Sequence, residues 1–201
     1  MLTLSVPFVL ASQSPRRQQL LQRLGMTFDV VPSAASEEVE TEMAPAGAVE
    51  MLAHRKAAVV AAQRSESLVL GADTIVVLAG DVLGKPASGD EAQAMLRRLS
   101  GRTHTVYTGI ALQHAASGRA VTASEATEVT FAPLADHEIE AYVATGSPLD
   151  KAGGYGIQDD LGALLIESVH GDYYNVVGLP LRRLYVTLRA HFGDLMSKRR
   201  D

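Results

Sequence analysis

Cysteine is absent from the chain. That excludes disulfides, thiolate nucleophiles and cysteine-ligated zinc together, and it fits a reducing compartment. Long hydrophobic runs are missing too. No stretch approaches the roughly 18 apolar residues of a membrane span. The N-terminal MLTLSVPFVLASQSPRR is too short in its apolar part for a signal peptide, and its arginines follow that part instead of preceding it. The reading is a cytoplasmic protein with no membrane association. Excess basic charge is also lacking: the formal net charge is −5, against a general nucleic-acid binder. The only basic run, Lys198, Arg199 and Arg200, reads as a solvated tail. The 6 histidines show no HExxH spacing, and no GxSxG elbow is present.

What is present is ordinary globular composition. The 201 residues are 47% hydrophobic and 20% charged, enough for one core and at most two closely joined lobes. No repeat, low-complexity tract or long linker interrupts them, so residues 1–201 read as a single domain.

Phe8, Val9 and Leu10 form a short apolar strand. Ser14 offers an N-cap and Pro15 a first helical position, with Leu20, Leu21 and Leu24 as the buried stripe and Gly25 as the stop. A second helix is expected over about 47–64, with Val49, Leu52, Ala53, Ala57 and Val60 on one face. Residues 68–78 (LVLGADTIVVL) are a long apolar run broken once by Gly-Ala-Asp-Thr, followed by a turn at Gly80-Asp81. Ser88 and Glu91 form a capping box for a third helix that buries Ala92, Met95, Leu96 and Leu99. Strands at about 104–114 and 120–131 join through Ser117-Gly118, and a fourth helix starts at Asp136. The glycine-rich stretch 146–162 reads as loop. Strands near 163–169 and 173–177 precede a helix opened by Pro180. Helix crossovers mixed with hairpins predict an α/β fold with a mixed sheet and flanking helices.

Residues 11–17, ASQSPRR, mark a strand-loop-helix junction. Free amides at a helix N-terminus bind anions, and Ser12 and Ser14 add hydroxyls. Arg16 and Arg17 fall in the first turn, where the helix dipole disfavours positive charge, so an anion bound there would offset them. The plainer reading is two solvated arginines beside an N-cap. Asp73 sits in an apolar run, where burying a lone carboxylate costs several kcal/mol unless it is paired or ligates a metal. A metal site or a proton acceptor would explain it; so would a turn in which Asp73 caps its own backbone. Both readings stand on this segment alone. Lys56 falls on the apolar stripe of its helix, facing the core or a cleft, or else it snorkels outwards. Lys85, in LGKP, follows a hairpin and is no P-loop lysine, because Pro86 replaces the Ser/Thr that would hold magnesium. Glu37 and Glu38 read as solvated charge unless the fold brings one beside Asp73.

Seven segments in order, ASQSPRR (11–17), AHRKA (53–57), GADT (71–74), LGKP (83–86), LSGRTHTVYTG (99–109), DKAGGYGIQ (150–158) and YNVVGLP (174–180), resemble the Maf family of nucleotide pyrophosphatases over about 8–192. The resemblance implies an elongated α/β fold with two lobes around a deep cleft, similar to the inosine triphosphate pyrophosphatases. It implies cleavage of a nucleoside triphosphate between the α and β phosphates with a divalent metal, Mg or Mn. By motif, Asp73 becomes the proton acceptor and a metal ligand. Arg17, Lys56 and Lys85 become triphosphate contacts, beside the Ser12 and Ser14 loop. Arg16, Thr74 and Gln158 take the positions associated with base specificity. Family members often show Asp-Glu where this chain has Ser36-Glu37, which makes Glu37 the second carboxylate, with Glu38 leaving the register open.

GADT and YGIQ match the branch acting on dTTP and UTP, and Gln158 offers both a donor and an acceptor to the O4 and N3–H edge of thymine or uracil. Two other readings remain: a 7-methyl-GTP pyrophosphatase of the same family, and a non-enzymatic regulator of septum formation. A homodimer is expected by analogy.

Overall fold

The computed structural model describes residues 2–38, 43–159 and 161–196. The basic run Lys198–Arg200 lies outside them. The strands are β1 (Phe8–Leu10), β2 (Asp29–Val30), β3 (Leu68–Leu78), β4 (Asp81–Leu83), β5 (Thr103–His114), β6 (Arg119–Phe131) and β7 (Ile166–His170). They form one sheet in the order β2-β1-β3-β5-β6-β7, with β4 paired off β3. β1 runs parallel to β2 and β3, whereas β3–β4 and β6–β7 are antiparallel, so the sheet is mixed as expected. The flanking helices are α1 (Pro15–Arg23), α2 (Pro45–Ala61), α3 (Gly89–Leu99), α4 (Asp136–Ala144), α5 (Tyr173–Val177) and α6 (Leu181–Phe192).

The chain divides into two compact units, the first built from residues 1–73, 108–125 and 178–201, the second from 74–107 and 126–177. In the first, a core of small residues (Val9, Ala11, Ala53, Ala57, Val60, Ala61, Val69 and Ala111) packs α2 against the sheet. Small side chains let a helix axis approach a strand closely, and here glycine extends the effect. A Cβ at Gly71 would lie 2.2 Å from the Ala53 carbonyl oxygen, and one at Gly109 would lie 2.3 Å from that of Val49. In the second unit the core is larger and partly aromatic, with Leu96, Leu99, Phe131, Ile139, Tyr142 and Tyr155 all buried.

Three expectations are corrected. Gly71-Ala72-Asp73-Thr74 does not break the apolar run: β3 is continuous from Leu68 to Leu78, and Asp73 lies in a strand instead of capping a turn. The glycine marks the close approach of α2, not a bend. Residues 173–177 are helical, because Asp172 caps them. Its Oδ1 accepts from the Tyr174 amide (2.8 Å) and its carbonyl from the Asn175 amide (3.1 Å), and this local cap overrides the strand preference of Val176 and Val177. The turn after β3 sits at Ala79-Gly80, both at positive φ (53° and 92°), one residue earlier than the sequence suggests.

Other signals land closely. Ser14 caps α1, and Gly25 follows it in the left-handed region at φ 66°. Ser88 Oγ accepts from the Glu91 amide at 3.2 Å, while Glu91 reaches back to the Ala87 amide at 2.7 Å. The glycine-rich stretch forms short 3-10 turns at Ser147–Asp150, Ala152–Gly154 and Gly162–Leu165.

Candidate active site

In the first unit, β1 ends at a loop that delivers the start of α1. Ser12 Oγ accepts from the Ser14 amide and from Arg17 Nη1, both at 3.2 Å. Ser14 Oγ accepts from the Arg17 amide at 3.5 Å. Both hydroxyl oxygens therefore hold the loop itself, and each hydroxyl keeps one proton to donate. Arg17 is also gripped from the far end of the chain, its Nε donating to the Gly178 carbonyl at 2.9 Å. Burial draws its guanidinium below the ordinary arginine range; Asp73 opposes that shift, Arg16 adds to it and Glu37 opposes it. The guanidinium stays charged. It is held rigidly in a field shared with a second arginine and two carboxylates.

Those carboxylates meet on one cation. Lys56 Nζ lies 2.6 Å from Asp73 Oδ1 and 2.6 Å from Glu37 Oε1. The Lys56 and Asp73 side chains are only 13% and 14% exposed, so the lysine is committed inward and does not snorkel to solvent. The local cause is the strand and helix geometry. Gly71 and Asp73, two apart on β3, share one face of the strand. α2 lies over the glycine through Ala53 and Ala57, which brings Lys56, on the same turn, onto the carboxylate. α2 is also pinned near its start. The Glu50 carboxylate accepts from Ser124 Oγ (2.6 Å) and Thr122 Oγ1 (3.0 Å) on β6. Of the neighbouring glutamates, Glu37 turns its carboxylate to Lys56, whereas Glu38 accepts from Arg55 Nη1 through its backbone carbonyl at 2.6 Å.

Among the described residues no group of three or more His, Asp and Glu gathers as a closed metal site. Asp73 and Glu37 nevertheless converge on a single cationic point, all-oxygen and two in number. That donor set suits magnesium or manganese, which take one or two carboxylates and complete their shell with waters and phosphate oxygens. The residues fit such an ion.

Of the remaining sequence candidates, Arg16 belongs to the first unit and Thr74, Lys85 and Gln158 to the second. Arg16 is in the first turn of α1 and Thr74 follows Asp73 on β3. Lys85 is exposed just after β4. Gln158 is half-buried in the glycine-rich loop, its Nε2 donating to Asp159 Oδ1 at 2.9 Å.

Three features escaped the sequence reading. One is the Gly178 grip on Arg17, which joins positions 161 residues apart. Another is the anchoring of Glu50. The third is a polar cluster in the second unit, where Lys151 Nζ pairs with Asp150 (2.7 Å) and Asp159 (3.3 Å). Only the motif DKAGGYGIQ hinted at the last, by carrying a lysine into a loop rich in glycine.

The family model described as Maf-like protein matches residues 7–191. A dTTP/UTP pyrophosphatase of Salinibacter ruber is 57% identical over 197 residues, covering 98% of this chain and 97% of the relative. A dTTP/UTP pyrophosphatase of Moorella thermoacetica is 57% identical over 185 residues, covering 92% and 94%. A solved HAM1 protein from Coxiella burnetii aligns with TM-score 0.40 at 22% identity, covering 67% of this chain and 75% of that one. An α/β protein whose helix N-terminus, buried lysine and strand carboxylate Asp73 fall on three of the seven ordered motifs, matched by that model over residues 7–191, is defined as to class. The chain belongs to the Maf family.

Proposed function

We propose that this chain hydrolyses dTTP and UTP to the nucleoside monophosphate and pyrophosphate, with a divalent metal, as a house-cleaning enzyme of nucleotide pools. The observation that carries the reading is the convergence of Asp73 and Glu37 on Lys56, next to a rigid Arg17 at a helix N-terminus. The names of the relatives supply the nucleotide.

Asp73 and Glu37 would hold the metal, which when bound neutralises phosphate charge and acidifies water. Asp73 accepts the proton of the attacking water as the new bond forms at the α-phosphorus and the α–β anhydride bond breaks. The departing pyrophosphate takes up the negative charge. Arg17 and Lys56, fixed before substrate arrives, stabilise it without reorganisation, and Lys85 adds a further cation. The Ser12 and Ser14 hydroxyls supply neutral donors to the phosphate chain. Arg16, Thr74 and Gln158 read the base.

A panel of nucleotides, with phosphate and pyrophosphate detected separately in magnesium, in manganese and in chelator, tests this. The expected product is one pyrophosphate per triphosphate, fastest with dTTP and UTP and lost in chelator. Release of phosphate alone would refute the reaction, and preference for 7-methyl-GTP would refute the base assignment.

A further inference from the structure

The Gln158 amide is held by a polar network that the reaction itself does not use. Its Nε2 donates to Asp159 Oδ1 at 2.9 Å. A carboxylate only accepts hydrogen bonds, so the opposite orientation, with the amide oxygen facing Asp159, would set two acceptors against each other. The orientation of this amide is therefore fixed by chemistry.

Asp159 is itself immobilised. Its Oδ2 accepts from Ser147 Oγ and from Tyr142 OH at 3.1 Å, and pairs with Lys151 Nζ at 3.3 Å. Lys151 donates in turn to the Ser147 carbonyl at 2.6 Å and to Ser147 Oγ at 3.0 Å. Tyr142 OH closes the loop by accepting from the Gly156 amide at 2.9 Å. Burial, with the Asp159 charge adding to it, pushes this phenol up to about 12, so Tyr142 remains a donor to the carboxylate at any working pH. The backbone leaves no slack either. A Cβ at Gly156 would lie 2.6 Å from Asp159 Oδ2 and 2.7 Å from Lys151 Cε.

A primary amide presents one acceptor and one donor side by side, and a half-turn about its last bond exchanges them. Uracil and thymine present O4 as acceptor beside N3–H as donor. Cytosine presents the reverse, an N4 amine beside N3. An amide free to turn serves both kinds of base from one position; a locked amide serves only one. Locked, Gln158 still has its Oε1 and the second hydrogen of Nε2 for a ligand.

We infer that Asp159, anchored by Lys151, Ser147 and Tyr142, is a positioning residue that locks the Gln158 amide and so restricts the enzyme to 4-oxo pyrimidine nucleotides against cytidine nucleotides. The inference rests on the reading of Gln158 as a base-contacting residue.

Asp159→Asn replaces a pure acceptor with a group that can accept or donate, which frees the amide. The measurement is kcat/KM for UTP, dTTP, CTP and dCTP, with melting temperature as the control. Wild type should favour UTP over CTP, and Asp159→Asn should reduce that ratio about tenfold or more, while kcat with dTTP stays within about threefold of wild type. Asp159→Ser, whose hydroxyl donates as readily as it accepts, reads the same ratio should Asp159→Asn fail to fold. An unchanged ratio in a folded Asp159 variant would overturn the inference, as would a wild type that takes UTP and CTP equally. Gln158→Ala separates the two levels. If it collapses the ratio while folded Asp159 variants do not, only the lock is wrong; if it leaves the ratio intact, the base-reading assignment of Gln158 fails with it.

Discussion

Gly71→Ala adds one methyl group at the point where α2 crosses β3. Its Cβ would lie 2.2 Å from the Ala53 carbonyl oxygen, 2.8 Å from the Ala57 amide nitrogen and 3.1 Å from Ala57 Cβ. The two nearest atoms are backbone, so no rotamer change relieves the clash, and the helix must retreat by roughly 1 Å to restore ordinary contact. Overpacking of this kind costs about 1–3 kcal/mol, which a domain of ordinary stability survives. Melting should fall by roughly 2–4 °C for each kcal/mol in a chain of this length. The catalytic loss should be much larger. Lys56 shares a helical turn with Ala53 and Ala57, so the retreat draws Nζ away from the Asp73 oxygen it now meets at 2.6 Å. A misplacement of about 1 Å at a charged group can cost roughly a hundredfold in rate. Steady-state kcat/KM with dTTP and UTP should therefore drop about a hundredfold in a protein that still melts cooperatively. Gly193→Ala, with nothing within 4 Å of the added carbon, serves as the control and should leave both readouts near wild type. A folded Gly71→Ala protein with near-wild-type kcat/KM would refute the idea that close packing of α2 sets the position of Lys56.

Arg17→Ala, Lys56→Ala and Lys85→Ala should each reduce turnover with every triphosphate tested, because phosphate contacts are indifferent to the base. Initial rates across the nucleotide panel check this, and a base-dependent loss would remove that residue from the phosphate group. His104 makes a separate prediction, about pH. Buried between Phe131 and Tyr155, with Nε2 2.7 Å from Tyr155 OH, it is pushed down by burial to about 4. The unfolded chain takes up this proton first, so stability is full above about pH 6.5, falls between 6.5 and 4, and levels off below. Urea unfolding at pH 7 and pH 5 should differ by about 2 kcal/mol from this group, and His104→Gln should flatten that slope.

Local signals in this sequence carry local structure well. Ser14, Pro15 and Gly25 bound α1, and Ser88 with Glu91 opens α3, because caps and stops act within four residues. The apolar positions of α3, Ala92, Met95, Leu96 and Leu99, are all buried as their spacing implies. What the sequence conceals is tertiary. Gly71 looks like a strand breaker, because nothing in the run 68–78 reveals that a helix 14–18 residues earlier will lie against it. Lys56, taken singly, reads as a structural lysine that snorkels outwards until Asp73 and Glu37 are placed against it. The hydrogen bonds around Asp159 draw on residues 142, 147, 151, 156 and 158, a spread with no period to detect. The pair Val176-Val177 suggests a strand, and only the capping geometry at Asp172 turns it into a helix.

The central claim is that Asp73 accepts a proton during release of pyrophosphate from dTTP and UTP. Asp73→Asn is nearly isosteric but removes the negative charge and the proton acceptor in one atom exchange. Pyrophosphate release should be followed for wild type and Asp73→Asn with dTTP in magnesium, alongside the melting temperature of each. The expected result is a folded variant whose turnover is lower by about two orders of magnitude or more. A folded Asp73→Asn protein that releases pyrophosphate at near the wild-type rate would contradict it.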